Sequence, residues 1–272
     1  GYTQDTRTAP SVPHLFGYCT DEYDARVDAA KSAAPDPVRE AKWPTMPKPS
    51  KPTGEQLYKR FMEGFSIQWM AFGNDVYDWD SVWEIILADI MVDGQLRKVA
   101  MQMNRNGFLY VLDRTNGQLL SAKPFGEVNW ATHVDMKTGR PVESELAKKY
   151  RAGEPFPMWP SVRGAKNWPH AAFNPNTGLL YANTNHGYST LKLIELAPFK
   201  PGARYVGVEN SYPPVNPGDI VGHIEAIDPM TAQPKWRVPV RDNQIASAML
   251  ATGGGLVFSG KHTGEFFALD AD

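Results

Sequence analysis

Short apolar runs bounded by turn residues fill the chain beyond residue 65. They fall at 97–102, 108–112, 179–183, 223–227, 255–259 and 265–269. Most are rich in β-branched, aromatic or leucine side chains and end at or just before Gly, Asn or Asp, which is the pattern of a strand closed by a turn. The first 55 residues read differently. Residues 21–32 have the polarity of a short helix. Six prolines between Ala34 and Pro52 then predict an extended, polyproline-like connection, because proline fixes φ and removes a donor. Residues 55–62, with Leu57 and Phe61 four apart, space their apolar groups at a helical interval. The pattern predicts a non-propeller segment with a proline-rich linker over 1–55 and an all-β domain over 56–272.

A weak internal repeat chooses among all-β architectures. Residues 107–117 form a strand that ends in Asp113, followed by a turn closed by Gly117. Residues 223–231 repeat the unit around Asp228, and 264–272 begin it again around Asp270. Asp228 and Asp270 are 42 residues apart, close to the roughly 40–45 of a four-stranded propeller blade. The expected architecture is a β-propeller with four-stranded antiparallel blades. Dividing the length of 66–272 by that period gives four or five of them. Three unrelated hairpins would show the same turns.

Composition agrees with many turns: 23 Gly and 23 Pro, with 8 Trp. Lys plus Arg is 28 and Asp plus Glu 30, a net charge of −2, which lacks the basic excess of a nucleic-acid binder. No run of 18 apolar residues exists, so no membrane span is expected. Residues 1–13 are polar and show no signal peptide, as an already processed start would also look. Cys19 is the single cysteine, which rules out a disulfide within the chain and reads as a small inert residue. The histidines lack metal-ligand spacing.

The densest chemical constellation is 73–84. Four acids and three aromatics fall between Asp75 and Glu84. Asp78 and Asp80 differ by two, so on an extended strand both side chains point to one face. Like charges there repel unless a cation lies between them or one is protonated. A hard cation such as Ca²⁺, which takes several oxygen ligands, would relieve the repulsion. The spacing is equally that of a solvated acidic turn, the commoner fate of an Asp cluster.

Several segments together are similar to PQQ-dependent (quinoprotein) methanol and alcohol dehydrogenases. These are 74–80 with 83–90, 105–117, 122–125, 128–132, 135–142, 167–170, 173–175, 178–181 and 249–260, in the same order. The resemblance implies a propeller of eight blades, of which this chain holds about the C-terminal half. It implies that Asp78 is the catalytic carboxylate, taking the alcohol proton and touching the metal. It implies that Asp80 is the extra carboxylate of lanthanide-dependent members, where calcium-dependent ones typically carry a small residue. Arg105 would hydrogen-bond the reactive quinone oxygens, and Asn167 would lie near the PQQ edge. The cofactors implied are PQQ and Ca²⁺ or a lanthanide ion. The reaction implied is oxidation of a primary alcohol to an aldehyde in the periplasm, with electrons passing to a separate acceptor such as a cytochrome c. Other uses of these residues are simpler. Arg105 could cap a strand or pair with Asp89, Asn167 could satisfy a turn backbone, and Trp130 and Trp236 read as packing between blades.

The chain also departs from the family pattern. A vicinal cysteine pair is absent, and no Cys-x-x-Cys-His haem motif occurs. Residues 1–65 show no match to the blades that supply a glutamate, an asparagine and a stacking tryptophan. Residues 244–248 stand where many members place a Trp. The chain is then a fragment, one of two chains that complete a propeller, or a degenerate propeller that serves as a non-catalytic binding scaffold.

Overall fold

The computed structural model describes residues 77, 79–81, 83–195, 198, 200–202, 206–241, 247–261 and 263–272. The two helices expected at 21–32 and 55–62, the proline-rich linker, Cys19, Asp78 and 244–246 lie outside these residues.

In chain order the described elements are β1 (Ile86–Val92), β2 (Gln95–Met103), β3 (Phe108–Asp113), β4 (Leu119–Pro124), β5 (Ala131–Val134), β6 (Pro141–Glu143), α1 (Glu145–Arg151), β7 (Phe156–Met158), β8 (Ala172–Asn174), β9 (Leu179–Asn185), β10 (Ser189–Leu193), β11 (Val208–Ser211), β12 (Ile220–Ile227), β13 (Pro234–Arg241), β14 (Leu250–Ala251), β15 (Leu256–Gly260) and β16 (Phe266–Asp270). All six apolar runs lie on strands, largely within β2, β3, β9, β12, β15 and β16. The first sheet runs β1-β2-β3-β4 in sequence order. The second is β8, β9, β12 and β13, and the third is β14, β15 and β16. Every pairing is antiparallel.

The repeated unit is the third strand of each sheet with the turn that follows it. At β3 the Asp113 carboxylate accepts from the Thr115 amide at 2.8 Å, and the Gly117 amide returns to the Asp113 carbonyl at 2.8 Å. At β12 the Asp228 carboxylate accepts from the Met230 and Thr231 amides at 2.9 and 2.8 Å. At β16 the Asp270 carboxylate accepts from the Asp272 amide at 3.0 Å. Aspartate recurs because its short side chain satisfies the turn amides that the ladder leaves unpaired.

The cores decide between a propeller and a sandwich. Strand β3 is buried on both faces. Phe108, Tyr110 and Leu112 enter one core, whereas Leu109 and Val111 enter a second with Leu180, Ala182 and Ile227 of the next sheet. Strands β9 and β12 split the same way, sending Leu179, Tyr181, Ile224 and Ala226 into a third core with Val257 of the third sheet. The first and second sheets are thus packed on both faces and the third on one, and the first strand of the second sheet, β8, meets both β1 and β14. A two-layer sandwich would leave one face of each sheet wet, so the sheets are arranged as propeller blades. Trp236 acts as a packing residue. It lies against Tyr181 at 6.0 Å, and its indole N–H donates to the Ala271 carbonyl of the third sheet at 3.4 Å.

Among the described residues not every stretch of blade length is a blade-like sheet. The described residues form two four-stranded sheets and one three-stranded sheet of this kind. Residues 131–158 instead form the β5–β6 hairpin, α1 and β7, and an excursion between β9 and β12 adds β10 and β11 to β7. Dividing length by period counted these insertions as blades. Helix α1 also went unforeseen. Its seven residues are too few for a periodicity signal, although Ser144 caps it by accepting from the Ala147 amide at 3.2 Å.

Candidate active site

The β2–β3 turn projects Arg105. Its sequence, Asn104-Arg105-Asn106-Gly107, is stiffened by two side-chain-to-backbone bonds. Asn104 accepts from the Asn106 amide at 3.1 Å, and Asn106 accepts from the Phe108 amide at 3.0 Å. Gly107 has φ +96, and a Cβ there would meet Val128 at 2.6 Å, so glycine is required on both counts. Three indoles hold the surroundings. Trp83 donates to the Met103 carbonyl at 3.0 Å, Trp130 to Asn106 at 2.9 Å and Trp79 to Ser161 at 3.3 Å. These tryptophans are structural supports of the turn.

The Arg105 side chain spans two elements. Its Nη1 donates to the Asp80 carboxylate at 2.6 Å, and its Nε to the Val162 carbonyl at 2.9 Å. Its amide donates to the Ser81 hydroxyl at 3.1 Å. The loop 161–167 closes over it, with the Ala165 amide on the Arg105 carbonyl at 3.0 Å. Gly164, φ +78, permits this approach, since a Cβ there would stand 2.1 Å from Arg105 Cγ. The guanidinium is only 12 % exposed while the Asp80 carboxylate is 58 % exposed. The pair therefore presents a fixed cation and an accessible anion just ahead of β1.

Asn167 lies on the same loop, but its side chain turns to the backbone. Its Nδ2 donates to the Arg163 carbonyl and its Oδ1 accepts from the Trp168 amide, both at 2.8 Å. This is the turn-satisfying role that the residue type alone suggested. Arg105 does not pair with Asp89; that partner is Arg114, at 3.0 Å. Asp78 lies outside the described residues. Among the described residues no group of three His, Cys, Asp or Glu side chains could hold a metal ion.

Sequence reasoning missed the neighbouring buried pair. Lys166 is fully buried, 3.0 Å from Glu84 and 5.0 Å from the Trp83 ring centre. Burial pushes its ammonium below the usual lysine range, and Glu84 pulls it back. Its Nζ also donates to the Asn167 carbonyl at 3.2 Å. Glu84 further accepts from the Ala171 amide at 2.7 Å. Glu84 stood within the acidic constellation and Lys166 directly before Asn167, but no spacing rule joins positions this far apart in sequence.

A family model for the β-propeller domain of PQQ glucose/ethanol/alcohol dehydrogenases matches residues 68–129. Those residues carry Asp80, Arg105 and the whole first sheet. The propeller segment resembles that of the PQQ-dependent alcohol dehydrogenases. The quinohemoprotein alcohol dehydrogenase ADH IIB of Pseudomonas putida is 39 % identical over 209 residues, which cover 73 % of this chain and 28 % of that protein. A europium-containing methanol dehydrogenase superposes with a TM-score of 0.65 at 35 % identity, covering 72 % of this chain and 34 % of that one. The quinoprotein alcohol dehydrogenase PedH of Pseudomonas putida aligns at 31 % identity over 97 % of this chain and 44 % of its own length. That alignment takes in most of residues 1–65, where inspection of the residues alone found no match. The chain thus spans well under two thirds of the proteins it resembles.

Proposed function

We propose that this propeller segment serves the PQQ-dependent oxidation of a primary alcohol to an aldehyde, assisted by a bound cation. The observation that carries the reading is the Asp80–Arg105 pair, held at the junction of two blades by loop 161–167. The residues fit a quinone. Arg105 is a planar, permanently charged donor locked in place, suited to a carbonyl oxygen that gains negative charge. Asn167, the second residue that the resemblance assigns to PQQ, stands on the loop that fixes Arg105 and turns its side chain to that loop's backbone. For the cation the fit is partial: Asp80 offers one accessible carboxylate, and Asp78 is assigned beside it.

Bound PQQ would supply an electrophilic carbonyl able to accept the hydride of the alcohol C–H bond, and a cation held by Asp80 and Asp78 would supply Lewis acidity. Asp78 removes the hydroxyl proton, and a nearby cation keeps that carboxylate ionised at neutral pH. Asp80 adds a negative charge suited to a trivalent lanthanide rather than Ca²⁺. Arg105 orients the reacting carbonyl through a side chain that Val162 and Asp80 hold from two sides. Electrons then leave to a separate acceptor of the cytochrome c type in the periplasm, and a second chain is a candidate to complete the propeller. Among the described residues no helix is long and apolar enough to cross a membrane.

The test is a dye-linked assay of the native protein with PQQ, a primary alcohol and either Ca²⁺ or La³⁺. Asp78→Asn should lower kcat by about 100-fold, the scale of a lost general base. Wild-type turnover in Asp78→Asn would transfer support to a non-catalytic binding scaffold. Calorimetric titration separates the metals: Asp80→Ala should weaken La³⁺ more than Ca²⁺, and an unchanged La³⁺ affinity removes the lanthanide assignment.

A further inference from the structure

A cavity opens between the first and second sheets, lined by neither Asp80 nor Arg105. Its volume is about 390 Å³, within the roughly 300–1,000 Å³ range of small-molecule sites. Residues 124–127 at the end of β4 and Trp159 form part of its wall, and Asn185, His186, His223, Glu225 and Arg237 bring polar groups. The strand pattern explains the cluster. His223 and Glu225 are two apart on β12 and share a face, and Arg237 of β13 lies directly across from Glu225.

The chemistry of this lining is unusual for a gap between blades. Glu225 is 1 % exposed and ion-paired with Arg237, and the Thr184 hydroxyl also helps to keep it ionised, yet its second carboxylate oxygen has no partner within 3.5 Å. A buried acceptor left unpaired is costly, and an incoming O–H or N–H would satisfy it. Burial lowers the His223 imidazole to about 4, helped by Arg237 and His186. The ring is therefore neutral at pH 7 and offers one donor and one acceptor. His186 lies 6.1 Å from it and 5.0 Å from Trp159, which adds a flat apolar surface.

These groups select a ligand class. Arg237 disfavours a cation, and Glu225 disfavours an anion. Donors and acceptors alternate around an aromatic wall, and a group that both donates and accepts at every position is a hydroxyl. We propose that this cavity is a binding site for a neutral polyhydroxylated molecule of monosaccharide size, one hydroxyl donating to the free Glu225 oxygen and a ligand oxygen accepting from Arg237.

The test uses the full chain and four probes: D-glucose, myo-inositol, sodium acetate and methylammonium chloride. The His186 and His223 ring signals are followed by NMR during each titration. One of the two polyols should shift both signals saturably with a Kd below about 10 mM, and the two ions should not. Glu225→Gln and Arg237→Leu should each weaken that polyol by about tenfold, the scale of a lost charged hydrogen bond. The wild-type titration stands alone if either variant fails to fold. Absence of saturable shifts with both polyols overturns the proposal. So does equal or stronger binding of acetate or methylammonium, or undiminished polyol binding in both folded variants.

Discussion

The two arginine–carboxylate pairs of this segment are built inside out from one another. In Asp80–Arg105 the guanidinium is packed away at 12 % exposure and the carboxylate stands out at 58 %. In Glu225–Arg237 the carboxylate is sealed at 1 % and the guanidinium is 45 % exposed. Which partner is buried follows from where each sits. Arg105 is on a turn covered by a loop of the neighbouring blade, whereas Glu225 points from a central strand into the gap between sheets. The member more open to solvent is the anion in the first pair and the cation in the second. Their energetics differ as well, because a desolvated charge depends on its partner far more than a hydrated one does.

Removing the exposed partner of the buried carboxylate should have the largest effect. Arg237→Ala leaves Glu225 charged and unpaired, and we expect a loss of about 3 kcal/mol in denaturant unfolding. A loss below about 0.5 kcal/mol would mean that Glu225 is not truly desolvated. Next comes the wall of the other pair. Gly164→Ala places a Cβ at φ +78 and 2.1 Å from Arg105 Cγ, so it should cost about 2 kcal/mol and displace the guanidinium. Asp80→Asn should cost about 1 kcal/mol, less than Arg237→Ala, because the guanidinium it leaves behind keeps the Val162 carbonyl and part of its hydration. Equal destabilisation by Asp80→Asn and Arg237→Ala would erase the contrast. The smallest effect is pH-dependent. His223 falls from 6.5 to about 4 on folding, so the unfolded chain binds more protons between those values. Its contribution to stability is present above about pH 6.5 and is lost as pH falls towards 4. The difference in stability between wild type and His223→Phe should carry that slope and be flat above it.

Much of the fold was legible because turns and alternation are local. The runs at 108–112 and 223–227 identified central strands, and Asp113, Asp228 and Asp270 marked the turns that close them. The Asp93-Gly94 pair between β1 and β2, with φ 50 and 77, was an unused hairpin signal. The insertion of β5–β7, α1, β10 and β11 was not legible, since β10 pairs with β7 across 30 residues and nothing local records such a partner. In the site, the acidic run drew attention to Asp80, and the family resemblance singled out Arg105. Their direct contact emerged only in three dimensions, as did the burial of Lys166 against Glu84, which depends on loop 161–167 returning from the next blade.

The measurement that bears most directly on the central claim is PQQ binding to the folded protein, followed by quenching of tryptophan fluorescence. Wild type should bind PQQ saturably, and Arg105→Met should weaken it at least about tenfold, as expected for loss of a charge-assisted donor pair. Asp80→Asn should leave the protein folded and shift the metal dependence of binding more than its strength. An unchanged PQQ affinity in folded Arg105→Met would contradict the account, because it would place the cofactor away from the cation that the structure fixes beside Asp80.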